Sequence, residues 1–116
     1  MDYLDRLSRF VVDTSLESLP EAAMRAARLV LLDTIGAMVA GSALPENRRL
    51  AESMHERGSR AAATLIGHGG RVDPLLATFA NATAGVALEV DEGSRLGGGH
   101  PAVHVAPGGL AVPGGV

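Results

Sequence analysis

Two short stretches hold the residue types that chemistry needs. Glu89-Val90-Asp91-Glu92 places three carboxylates within four positions, and Gly97-Gly98-Gly99-His100-Pro101-Ala102-Val103-His104 follows with two histidines four apart. An imidazole beside a carboxylate is a usable general acid–base pair, because a side chain with an ordinary pKa of ~6.5 can take and return a proton near neutrality. The glycines let the backbone turn tightly. Pro101 pre-sets the first position of a helix. His100 is therefore expected at or just before a helix N-terminus, where free backbone N–H groups favour a carboxylate ligand. The plainer alternatives are a solvated acidic helix end and a loop histidine. His104 would share a face with His100. Two histidines at that spacing also suggest a metal, but no H-E-x-x-H or comparable framework accompanies them, and no metal site is assigned.

The elements that must carry these residues read as helices. A first helix is expected over Tyr3 to Val12, with Leu4, Leu7 and Val11 at helical spacing and Phe10 beside them. Ser18 and Glu21 have the spacing of a capping box, with Pro20 in the first turn. The helix they open runs to about Ala40, with Gly41 as its C-cap. Its second half, Leu29 to Ala40, is apolar nearly all round, so burial on most sides is expected. A third helix is expected from Leu44-Pro45 to Arg57-Gly58. Ala62 to Ile66 reads as a short extended segment closed by Gly67, Gly69 and Gly70. A fourth helix opens with Asp73 as N-cap and Pro74 at its first position, carries Leu75, Phe79, Val86 and Val90 on one stripe, and ends in the acidic cluster. Four helices and one scrap of strand indicate an all-α domain.

Composition narrows the function classes. The 116 residues carry a net charge of -3 and only 3% aromatic residues, a poor match to phosphate-backbone binding or base stacking, so no nucleic-acid partner is expected. There is no Cys and no Lys, which removes disulfides, thiolate sites and Schiff-base or P-loop lysines from this stretch. Asp33 interrupts the most apolar run, so no membrane span is expected. The acidic start lacks the pattern of a secretory signal, so a soluble cytoplasmic chain is the expectation. Asp33 itself is read as structural, a buried carboxylate that needs an Arg or backbone N–H partner. His55 and His68 read as surface residues.

Four stretches together resemble the N-terminal part of the MmgE/PrpD family, whose members include 2-methylcitrate dehydratase, cis-aconitate decarboxylase and iminodisuccinate epimerase. Leu32-Asp33-Thr34-Ile35-Gly36 followed by Ala40-Gly41-Ser42 is similar to the family's L-D-T-hydrophobic-G…A-G-S helix. Ala63-Thr64-Leu65-Ile66-Gly67 is similar to its A-T-hydrophobic-hydrophobic-G step, Ala77 to Glu92 to its A-x-x-N-G…D-x-D-D helix, and Gly99-His100-Pro101 to its G-H-P signature. Order and spacing agree from about Leu4 to Pro107. The resemblance implies the helical part of a lyase that acts on a small di- or tricarboxylate by acid–base elimination, without metal or organic cofactor. It also implies a homodimer in the complete protein. By position, Glu89 and His100 match active-site residues and are the catalytic candidates. Asp91, Glu92 and His104 are the candidates for substrate binding.

The departures are specific. Glu89 stands where the family has Asp, Val86 where a His is often found, Gly93 where a Thr is expected, and Asn81-Ala82 replaces Asn-Gly. The family's later histidine, lysines and tyrosine have no counterpart. From Gly93 to Val116 lie eight of the fifteen Gly and three of the six Pro. The expectation is a partial family domain over residues 1–107, a Gly/Pro-rich, disordered or aberrant tail over 108–116, and an N-terminal fragment inactive on its own. A non-catalytic helical interaction or dimerisation module is the alternative.

Overall fold

The computed structural model describes residues 2–57 and 60–112. Helix α1 (Tyr3–Asp13) starts in a capping box in which the Asp2 side chain accepts from the Tyr3 N–H and Asp5 accepts from the Asp2 N–H. A single 3-10 turn, Leu16–Ser18, leads to helix α2 (Glu21–Ser42). Helix α3 (Pro45–Arg57) turns away from α2 by 93°. Strands β1 (Ala63–Thr64) and β2 (Arg71–Val72) form an antiparallel hairpin, pairing Ala63 with Val72 and Thr64 with Arg71. Helix α4 (Pro74–Val86) and helix α5 (Pro101–Ala111) complete the chain. The all-α reading holds; among the described residues a fifth helix, a 3-10 turn and a second short strand join the four helices and one extended segment expected.

The core is built from small residues. Ala51, Met54, Ala63, Leu65, Val72, Ala77, Ala80 and Ala111 form one buried cluster. Helix α2 meets α4 closely because Gly41 lacks a side chain: a Cβ there would lie 1.9 Å from the Ala84 carbonyl oxygen. Gly41 therefore sits inside α2 at a helix–helix contact rather than at the expected C-cap, and the helix ends one residue later. Asn47 seals that end, donating from Nδ2 to the Gly41 carbonyl at 2.8 Å. The buried Asn81 fastens α4 to the hairpin by accepting from the Ile66 N–H at 2.9 Å and donating to the Thr64 carbonyl at 3.0 Å.

Several expectations are corrected. The Ser18–Glu21 capping box does not form. Ser18 donates to the Ser15 carbonyl within the 3-10 turn, and Pro20, the residue before α2, makes no side-chain cap. Helix α2 is not buried on most sides. Only Thr34, Ala37, Met38, Gly41 and Ser42 are buried, while Leu29 and Leu32 are 62% and 68% exposed. Within the described residues, the other helices reach only one side of α2, and α1 packs against no other element. The Leu75/Phe79 stripe of α4 also faces outward, and Ala77, Ala80, Asn81, Ala84 and Gly85 face the core instead. Asp33 is exposed, so water rather than an Arg partner solvates it.

Helix α5 continues beyond Pro107, where its composition suggested an end. Val103, Pro107 and Ala111 recur every four residues and are buried, so packing overrides weak propensity. Residues 113–116 of the expected tail, and Gly58 at the expected end of the third helix, lie outside the described residues.

Candidate active site

The acidic cluster is a loop. Helix α4 stops at Val86, and Glu89 follows with a positive φ of 55°. Three carboxylates appended to a helix C-terminus would face its negative pole, so ending the helix before them avoids that repulsion. The expected helical placement of Glu89, Asp91 and Glu92 is thus replaced by a turn.

A closed loop then returns the chain to this cluster. The Ser94 N–H donates to the Gly99 carbonyl at 2.9 Å and the Gly98 N–H to the Ser94 carbonyl at 3.0 Å. Gly98 and Gly99 take φ of +66° and +81°, the left-handed region that favours glycine. The loop delivers His100 to the residue before α5, as expected. Glu92 holds the other side of this junction: its Oε2 accepts from the Ala102 N–H at 3.1 Å, satisfying one of the free donors of the first turn of α5.

His100 is gripped through one ring nitrogen. Its Nδ1 lies 2.9 Å from the Glu92 carbonyl oxygen, 3.2 Å from the Asp91 carbonyl oxygen and 3.3 Å from Asp91 Oδ2. The His100 side chain is 45% exposed, whereas that of Asp91 is 4% exposed. Asp91 Oδ2 accepts no hydrogen bond among the described residues. The Asp91 carbonyl and then the Asp91 charge raise the His100 pKa above its ordinary value, with smaller contributions from the Glu92 carbonyl and the Glu89 charge. Partial desolvation opposes them.

Glu92 also borders a second feature. Together with Leu29, Val30, Leu32 and Asp33 of α2 it lines an open groove of about 520 Å³. Asp33 is the acid here that the sequence reading assigned to a structural role. Its Leu-Asp-Thr setting looked like core, and only the exposure of α2 reveals it. His104 does not join the cluster's polar contacts. It lines a groove between α4 and α5 with Phe79, Thr83 and Val86. His55 and His68 share a separate cleft with Arg48 and Glu52. Among the described residues, no group of three or more His, Asp or Glu side chains converges to hold a metal ion. No single helix among them is long and apolar enough to cross a membrane, although α2 and α3 together meet that criterion as a bent pair, by length and composition only.

The family model described as the MmgE/PrpD N-terminal domain matches residues 5–113. The chain belongs to the MmgE/PrpD family. That match covers α2 to α5 and all but the first two residues of α1, and it includes both halves of the His100 site. No curated protein and no solved structure matches the chain. Membership in the MmgE/PrpD family points to lyase-type chemistry at the level of the family.

Proposed function

We propose that this chain contributes acid–base groups to an MmgE/PrpD-type lyase acting on a small di- or tricarboxylate, in the manner of a 2-methylcitrate dehydratase. The observation that carries this reading is the His100 junction. A half-exposed imidazole is held by one nitrogen against Asp91 and Glu92, which leaves the other nitrogen for a substrate. Glu89 lies near enough for its charge to act on the ring. Between them, His100 and Glu89 would remove a proton from the carbon beside a carboxylate and deliver one to the departing hydroxyl. A C–H and a C–O bond break, a C=C bond forms and water leaves, so proton and electron counts balance without a cofactor.

The cluster Glu89, Asp91, Glu92 and nearby Asp33 repels an anionic substrate. A cation supplied from beyond these residues is therefore part of the proposal, and the 116-residue chain alone is expected to turn over no 2-methylcitrate. In an active lyase that includes this chain, Glu89→Gln and His100→Ala should each lower turnover by at least ~10²-fold, a typical general acid–base contribution. Formation of the unsaturated product, followed by ultraviolet absorbance, checks this. Near-normal turnover in both variants would overturn the assignment.

One observation favours a second reading. The apolar face of α1 (Leu4, Leu7, Phe10 and Val11) is exposed, and so are Leu29 and Leu32 of α2. Exposed apolar surface of this kind marks interaction sites. A non-catalytic helical dimerisation module would use it, and so would the homodimer of a complete lyase. Sedimentation equilibrium that finds only monomer at every concentration would remove the module reading.

A further inference from the structure

The arrangement around His100 says more than that a base is present. All three atoms near Nδ1 are oxygens: two backbone carbonyls and a carboxylate oxygen. None of them can donate a hydrogen bond. Nδ1 must therefore carry a proton in the neutral ring as well as in the charged one, and Nε2 is the nitrogen whose protonation changes.

Asp91 fits no ligand-facing role in this arrangement. Its side chain is 4% exposed, so a solute meets almost none of it. Its Oδ2 is buried, accepts no hydrogen bond among the described residues and faces Nδ1 at 3.3 Å. A buried carboxylate oxygen without a donor is costly, and the charged state of the adjacent ring is what compensates it. Glu92 is likewise engaged, with its carbonyl on Nδ1 and its Oε2 on the Ala102 N–H.

We infer that Asp91 is a positioning residue: with the Glu92 carbonyl it fixes the Nδ1–H form of His100, so that Nε2 alone takes and returns the proton. This deepens the acid–base reading above and rests on it for its catalytic meaning. Asp91, assigned to substrate binding by the family resemblance, acts instead through the ring. The charged and titratable groups of the loop and its flanking helices are Glu89, Glu92 and Arg95 in the loop, His104 on α5 and Asp33 on α2 across the groove. Of these, the Glu89 charge acts on the imidazolium in the same direction as Asp91. Among the described residues, Asp91 alone places a carboxylate oxygen beside Nδ1.

The test needs no turnover. Nitrogen-15 spectra of the ¹⁵N-histidine-labelled chain report the tautomer of each ring and its titration midpoint. The expected result is a His100 that is Nδ1–H when neutral and that titrates above an ordinary exposed histidine. Asp91→Asn should move that midpoint down, and Glu92→Gln, which keeps the carbonyl, should move it less. A neutral Nε2–H tautomer in the unmodified chain would overturn the inference. So would an unmoved midpoint in a folded Asp91→Asn variant. If that variant does not fold, the tautomer of the unmodified chain decides. An Nδ1–H tautomer with the expected midpoint shift, in a chain whose lyase shows no dependence on His100, would sink the catalytic reading and leave this one standing.

Discussion

Residues 3–33 and the segment from Thr34 to Ala111 are both helical, yet they are helical for different reasons. The first has well-formed local signals: a capping box at Asp2 and Asp5 and an i,i+4 pair of Glu21 and Arg25 at 3.4 Å. It has no buried residue. The second has weaker propensity, with Gly41, Gly85, Pro107, Gly108 and Gly109 inside its helices, but Gly41 lets α2 approach Ala84 and Gly85 lets α4 approach Val103, and Pro107 is buried. A chain of this length packed evenly would have a radius of gyration of about 13 Å. The observed 15.7 Å, with extents of 45 × 30 × 27 Å, reflects the N-terminal part standing off the core. Helices shorter than about 12–15 residues are marginal in water without tertiary contacts. Helix α1 is thus specified by its local sequence but needs a partner for its apolar face to be stable.

Three substitutions test this contrast. The largest effect is expected at Gly41→Val. The new side chain would begin 1.9 Å from the Ala84 carbonyl oxygen and 2.9 Å from its carbon, and backbone cannot yield as a side-chain tip does. Loss of at least about 3 kcal/mol, the upper end of overpacking costs, should appear as a lost or non-cooperative thermal transition. A melt like that of the unmodified chain would mean that the α2–α4 contact is not the heart of the packed half. Next comes Asn81→Ala, which removes both links between α4 and the hairpin and leaves the Ile66 N–H without its acceptor. About 1–3 kcal/mol should be lost in urea titration, with an unchanged slope. The smallest effect is expected at Leu7→Ser on α1, within about 0.5 kcal/mol in dilute monomer. A loss of 2 kcal/mol or more would show that α1 is covered in solution, most directly by a second copy.

Local chemistry was legible in the sequence where it depends on neighbours in the chain. Asp73 caps α4, accepting from the Leu75 N–H at 2.9 Å, and Pro74 begins that helix. Pro101 opens α5 with His100 before it. The convergence of His100 on Asp91 and Glu92 was also within reach, since they lie only eight and nine positions apart and glycines fill the interval. What failed depends on neighbours in space. Gly41 looks like a stop signal, and only the presence of Ala84 shows it to be a contact. Leu75 and Phe79 look like core, but alanines do that work on α4. The Ser18–Glu21 pattern has the right spacing, yet a 3-10 turn claims Ser18 first. His104 lies on α5, but His100 is only the non-helical residue before it, so the four-residue spacing does not bring the two rings onto one face and His104 lines another groove.

Glu89 carries a consequence for how such a chain changes over generations. It is the one non-glycine residue among those described with a positive φ. A left-handed conformation costs an ordinary L-residue about 1 kcal/mol, and glycine largely escapes that cost. Selection for thermal robustness alone would therefore favour Glu89→Gly, trading a carboxylate for a relaxed backbone. A library sorted only by melting temperature should drift toward that substitution, whereas one sorted by turnover should resist it, and the gap between the two would measure what the carboxylate is worth.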